Sequence, residues 1–252
     1  MSDFDRNVAT ARGGYAGQAA AIDAGLRAHM IRVYNYMATA VGLTGVVAWF
    51  TFNAATTTNA AGGLSLTPFG QTIYGGPLMI VMLLATLGLV FFISFRIDKL
   101  QFTTAFALFM VYAGLLGVTL SAVFLTYTGA SITRVFFISA ASFGALSLYG
   151  YTTQRDLSAF GSFMIMGLFG IILASLVNIW LGSTAVTFAI SVIGVLVFAG
   201  LTAWDTQKIK EMYDVNDDGT VSGRKAVMGA LSLYLDFINM FMMLLRLFGD
   251  RR

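Results

Sequence analysis

A carboxylate stands in the middle of a stretch that should carry none. Asp236 lies within GALSLYLDFINMFMMLLRLFG, residues 229–249, a run apolar enough to cross a membrane. It falls about ten residues into that run, roughly 15 Å along a helix and close to a bilayer midplane. An unpaired charge there costs roughly 2.5–3.5 kcal/mol on insertion scales, so the group must be protonated, paired or hydrated. An ionisable side chain at that depth is a functional candidate, or else a buried Asp in a structural hydrogen bond. Asn239 follows at i+3 on the same helix face. It is placed either to coordinate beside Asp236 or to bond a neighbouring helix. Asp205 closes a second apolar run in FAGLTAWDTQKIKEMY. Lys208, Lys210 and Glu211 put it at an interface by position. Ile209 and Met212, at i+4 and i+7, draw the same face inward.

The elements that hold these residues follow from composition. The 252-residue chain is 58% hydrophobic and 11% charged, where soluble domains carry about 25%. No charge occurs from Val33 to Ser94, from Leu100 to Thr133 or from Leu157 to Trp204. The fold class is therefore an all-α integral membrane protein, with seven segments at about 30–52, 77–96, 102–126, 132–150, 158–181, 185–204 and 227–248. No ten-residue in/out alternation supports a barrel. Cys is absent, which excludes disulfides, thiol catalysis and Cys-ligated metal. The net charge of +3 is not gathered into a basic cluster, so nucleic acid is no partner and membrane lipid is.

The predicted organisation is a flexible cytoplasmic tail over 1–28, a transmembrane domain over 29–249 and a short tail over 250–252. The tail shows no apolar signal-peptide region. Loop 53–76 is uncharged, whereas RIDK (96–99), QRD (154–156) and 205–225 carry most of the charge. By the positive-inside rule those three tips and the N-terminus are cytoplasmic. Seven crossings then leave Asp250–Arg252 outside, against their two arginines, unless the last segment re-enters. Arg134 and Arg246 are placed to snorkel, and His29 to anchor at an interface. The pairs Gly42/Gly45, Gly114/Gly117 and Gly167/Gly170 read as ordinary helix packing. DVNDDGTVSGRK (214–225) imitates a calcium loop, with Asp214, Asn216, Asp218 and Gly219 in register. Lys225 replaces the bidentate Glu, so a polar turn is expected.

AWDTQKIKEMY, ALSLYLDFINMFMMLLRLFG and YTTQRDLS (151–158) together closely resemble the Bax inhibitor 1 family of membrane proteins. The likeness is strongest over about 140–249. It implies a seven-helix fold with the last helix central, and a pH-sensitive calcium leak. Asp205 and Asp236 match the family's two aspartates, which sit together and titrate as a pair. The resemblance also implies a basic latch at the end of the second helix, for which Arg96 and Lys99 are the candidates. The Ala/Gly-rich composition points to a bacterial inner membrane.

On this reading the protons belong to the pair. A shared proton gives a low-charge closed site. Its loss leaves two negative oxygen clusters that repel each other and attract a hard cation such as calcium. Asp205 and Asp236 are then both proton sensor and metal site, with calcium the permeating ion and no resident cofactor. A proton-coupled cation transporter would use the same aspartates, although no internal repeat is evident. An intramembrane aspartyl protease would need Gly-x-Gly-Asp where this chain has YLDF, so no enzyme is expected. A regulatory scaffold is permitted by the resemblance but marked by no residue.

Overall fold

The structure is a computed structural model that describes residues 3–59 and 63–252, with side chains from residue 23 onward. Helix α1 (Asp3–Ala55) leads into a hairpin, β1 (Thr56–Thr58) against β2 (Leu64–Leu66), with Thr57 opposite Ser65. Next come α2 (Pro68–Tyr74), α3 (Pro77–Arg96) and α4 (Phe102–Leu120), the last followed by a short α5 (Val123–Thr126). The chain continues through α6 (Gly129–Thr152), α7 (Ser158–Leu181), α8 (Thr184–Glu211) and α9 (Gly219–Phe248). Among the described residues seven helical stretches are long and apolar enough to cross a membrane. The tail expected over 1–28 lies mostly outside the residues whose side chains are described. Residues 23–28 belong to the first membrane-length stretch, Asp23–Ala55.

Local chemistry sets the helix ends. Thr128, Ser183 and Asp218 each cap a helix by accepting a backbone N–H, from Ser131, Val186 and Val221 respectively. Pro68 and Pro77 occupy first-turn positions, where the missing N–H costs nothing. Lipid offers helices no hydrophobic reason to associate, so close approach and interhelical hydrogen bonds hold the bundle. Gly150 on α6 shows the approach: a Cβ there would lie 2.1 Å from the Ala203 carbonyl oxygen on α8. Of the glycine pairs singled out in the sequence, Gly117 and Gly167 meet α1 and α8 closely, while Gly42, Gly45, Gly114 and Gly170 face open space.

Helix α9 is the axis of the bundle. Two-thirds of its apolar window (67%) is buried, against 39% for α8 and 11% for α3. It packs on α8, α1, α6 and α4, whereas α3 rests chiefly on α4. Its 30 residues cross without a break, which removes re-entry from consideration. The last three residues dock at the end that carries the β-hairpin. Tyr127 pairs with Arg251, the Asp250 carbonyl accepts from the Thr128 N–H (3.1 Å), and Arg134 bonds Asp250 (2.8 Å). Arg134 is therefore neutralised by the tail rather than left to snorkel.

Candidate functional site

Helices α8 and α9 run side by side and present Asp205 and Asp236 to each other. Asp236 is 5% exposed and Asp205 is half-buried. Their carboxyl groups lie within hydrogen-bonding reach. Two carboxylates can make such a bond only if one is protonated. Asp236 Oδ2 is buried with no hydrogen-bond partner among the described residues. Among the described residues no cation forms an ion pair with either aspartate. The cation whose field reaches Asp205 is Lys208, an exposed residue with Nζ 5.0 Å from the Trp204 ring centroid.

Both aspartates line a cavity of about 670 Å³ bounded by α3, α7, α8 and α9. Its wall is apolar except for Asp205, Asp236, Ser175, Ser232, Asn239 and Arg246. Asn239 donates Nδ2–H to the Leu235 carbonyl (2.8 Å), which leaves its amide oxygen for the cavity. Asn239 thus bonds its own helix rather than a neighbouring one, and it lines the cavity beside Asp236.

A polar relay starts at Thr206, the residue after Asp205. The Thr206 hydroxyl donates to Thr202 O (2.8 Å) and lies 2.9 Å from Ser147 Oγ, which is 2.6 Å from the Tyr34 hydroxyl. Each hydroxyl has one hydrogen, so Tyr34 donates to Ser147 and Ser147 to Thr206. The relay ties α1, α6 and α8 beside Asp205. Tyr234 on α9 works alike: Thr44 gives its hydrogen to a backbone carbonyl, so the Tyr234 O–H donates to it (2.6 Å). Gln207 accepts from the Leu157 N–H and donates to Arg155 O (both 2.8 Å), fixing the 153–157 tip against α8.

Several expected roles fall elsewhere. Arg96 and Lys99 are exposed at the α3–α4 tip and neither lines the cavity, so neither latches the aspartates in this conformation. The cation working at that tip is Arg224, whose Nη1 donates to Asp98 O (2.5 Å). The calcium-loop imitation is a turn. Asp214 accepts from the Asn216 N–H (2.9 Å), Asp218 caps α9, and Lys225 pairs with Asp217 (2.5 Å). His29 is buried rather than interfacial, 5.8 Å from the Tyr213 ring centroid, with both nitrogens unpartnered. Arg246 turns into the aspartate cavity. The sequence reading missed the relay; its only signal was hydroxyl residues at Ser147 and Thr206 in otherwise apolar helices.

Comparison with known proteins gives a consistent picture. A family model described as "Inhibitor of apoptosis-promoting Bax1" matches residues 26–252. The "Inner membrane protein YbhL" of Escherichia coli (strain K12) is 47% identical over 231 residues, 91% of this chain and 94% of that protein. The "Uncharacterized protein RP147" of Rickettsia prowazekii is 47% identical over 230 residues, 91% of this chain and 92% of that one. A protein of Caulobacter vibrioides is 42% identical across the full length of both chains.

Proposed function

The chain belongs to the inhibitor of apoptosis-promoting Bax1 family of multi-pass membrane proteins, and on that premise we propose that it is a pH-gated calcium leak whose gate is the Asp205–Asp236 pair. The observation that carries this reading is the meeting of two carboxyl groups on the wall of a membrane-embedded cavity. With a shared proton the pair has low charge and bonds α8 to α9. When the proton leaves, like charges a hydrogen bond apart repel, and the cavity gains two anionic oxygen clusters. Oxygen ligands suit a hard cation such as calcium. With Ser232 and Asn239 as the neighbouring polar groups, the set suits an ion in passage more than one tightly held. Among the described residues no group of three or more His, Cys, Asp or Glu could hold a metal.

On this reading the N-terminus and the charged tips lie in the cytoplasm of a bacterial cell, by the positive-inside rule, and the chain lies in the inner membrane, as the name of the Escherichia coli relative states for that protein. Protonation closes and deprotonation opens, so calcium flux into liposomes bearing the purified chain rises from about pH 6 to about pH 8. Flux stays downhill and carries no protons in fixed ratio. Calcium driven uphill by a proton gradient would replace the leak with an exchanger. Flux and pH dependence unchanged in the Asp205→Asn, Asp236→Asn double variant would remove the pair from the path.

A further inference from the structure

Helices α1 and α6 both pack on α9 yet barely touch each other. At the end of the bundle away from the hairpin they leave a groove of about 520 Å³, which shares no lining residue with the aspartate cavity. Arg27, Ile31 and Tyr34 line one wall on a single face of α1, and Gly144, Leu148 and Tyr151 line the other on α6. From Arg27 to Tyr34 the groove runs about 10 Å along α1, which keeps it inside one leaflet of a ~30 Å hydrocarbon layer. At its inner end the Tyr34 and Ser147 hydroxyls spend their hydrogens within the relay. Spare donors gather at the mouth. Arg27 is exposed there and, among the described residues, forms no ion pair and no hydrogen bond. Lys210 stands beside Tyr151: its Nζ donates to the Tyr151 carbonyl (3.0 Å) and lies 5.3 Å from the Tyr151 ring centroid. An ammonium has three donors, so two remain. Asp23, one turn before Arg27, pairs with neither cation, and no carboxylate lines the groove.

We propose that this groove seats one anionic phospholipid, with its phosphate at Arg27 and Lys210 and an acyl chain laid between α1 and α6 against Ile31, Phe143 and Leu148. The inference goes beyond the leak reading and does not depend on it. A basic mouth over an apolar cleft between membrane helices suits an acidic headgroup. A zwitterionic lipid brings the same phosphate with an added cation, which Arg27 and Lys210 repel and no carboxylate of the groove receives. The seated chain fills the α1–α6 gap that the Tyr34–Ser147 bond bridges.

The test is native mass spectrometry of the full-length chain in detergent containing equal amounts of phosphatidylglycerol and phosphatidylcholine. Wild type runs beside Arg27→Gln, the Arg27→Gln, Lys210→Gln double variant and Gly144→Leu. A Cβ at Gly144 meets nothing within 4 Å, so the leucine enters the groove without displacing a neighbour. Wild type should retain one phosphatidylglycerol about fivefold or more over phosphatidylcholine. Arg27→Gln should lower that ratio, and the double variant should bring it to parity. Gly144→Leu should lose the retained lipid while its unfolding midpoint in lipid-free detergent stays near wild type. Equal retention of the two lipids by wild type reduces the groove to ordinary lipid contact and overturns the proposal. A preference that survives the double variant, or survives Gly144→Leu, puts the lipid elsewhere and overturns it too. A wild-type dimer that Gly144→Leu disrupts would seat a second copy of the chain in the groove, with the same consequence.

Discussion

Among the described residues Asp236 has one buried carboxyl oxygen without a hydrogen-bond partner, and another carboxyl group lies within hydrogen-bonding reach. Such a residue answers to the proton more than to its helix. Two loop acids are poorly placed to sense pH. Asp156 is held below the usual carboxylate range by the hydroxyl and backbone N–H of Ser158, and Asp214 by the backbone N–H and side chain of Asn216. Both stay ionised between about pH 6 and about pH 8 and add no slope there. His29 is the competitor, so His29→Gln should leave the pH profile of calcium flux in place; a flattened profile would transfer the sensor to α1. Tyr234→Phe removes the donor to Thr44 and should destabilise the detergent-solubilised protein by about 1 kcal/mol, read as a lower unfolding midpoint. At this scale the sequence exposes Asp236 well, because a charge in an apolar run is conspicuous. It exposes Arg246 poorly: a position near a helix end says how deep a side chain lies, not which neighbour it faces. The Arg96 and Lys99 expectation came from resemblance, and their exposure at a tip shows the limit of carrying a role to an unmatched position.

Helices α8 and α9 carry the aspartates, α6 packs on both, and a small residue sets the α6–α8 approach. Gly150→Leu would drive a side chain into the Ala203 carbonyl and part α6 from α8, costing on the order of 1–3 kcal/mol or more. A Cβ at Gly144 on the same helix meets nothing within 4 Å, so Gly144→Leu should leave the unfolding midpoint nearly unchanged. Equal effects of the two would mean that the α6–α8 approach does not limit stability. All seven membrane-length helices were legible as long apolar runs with few charges, since lipid demands them. Their ends were not. Helix α8 continues through Asp205 to Glu211 because Ile209 stays buried beyond the charge. Helix α9 starts at Gly219, eight residues before the apolar run, because Asp218 caps it. Hydropathy marks what lipid covers, while caps and packing decide where a helix stops.

At the scale of the molecule, α9 occupies the centre although α8 and α4, which pack on it, are more apolar. Resemblance gave that arrangement; composition alone could not, because a buried helix and a lipid-facing one are both apolar. The docked tail is a small contribution. The Arg134–Asp250 pair is exposed, so Asp250→Ala should cost no more than about 1 kcal/mol, visible as a slight fall in the unfolding midpoint. Sidedness is open to labelling, because the native chain has no Cys. A single Cys at Lys99 should be shielded from an impermeant thiol reagent added outside intact cells, and one at Ser65 should react. The reverse pattern would invert the topology. The measurement that bears most directly on the central claim is the pH profile of calcium flux in liposomes for wild type, Asp205→Asn, Asp236→Asn and the double variant. Two carboxyls that share protons act as a unit, so each single change should remove the pH dependence about as fully as both together. Independent, additive effects of the two substitutions, or a profile that survives both, would contradict it.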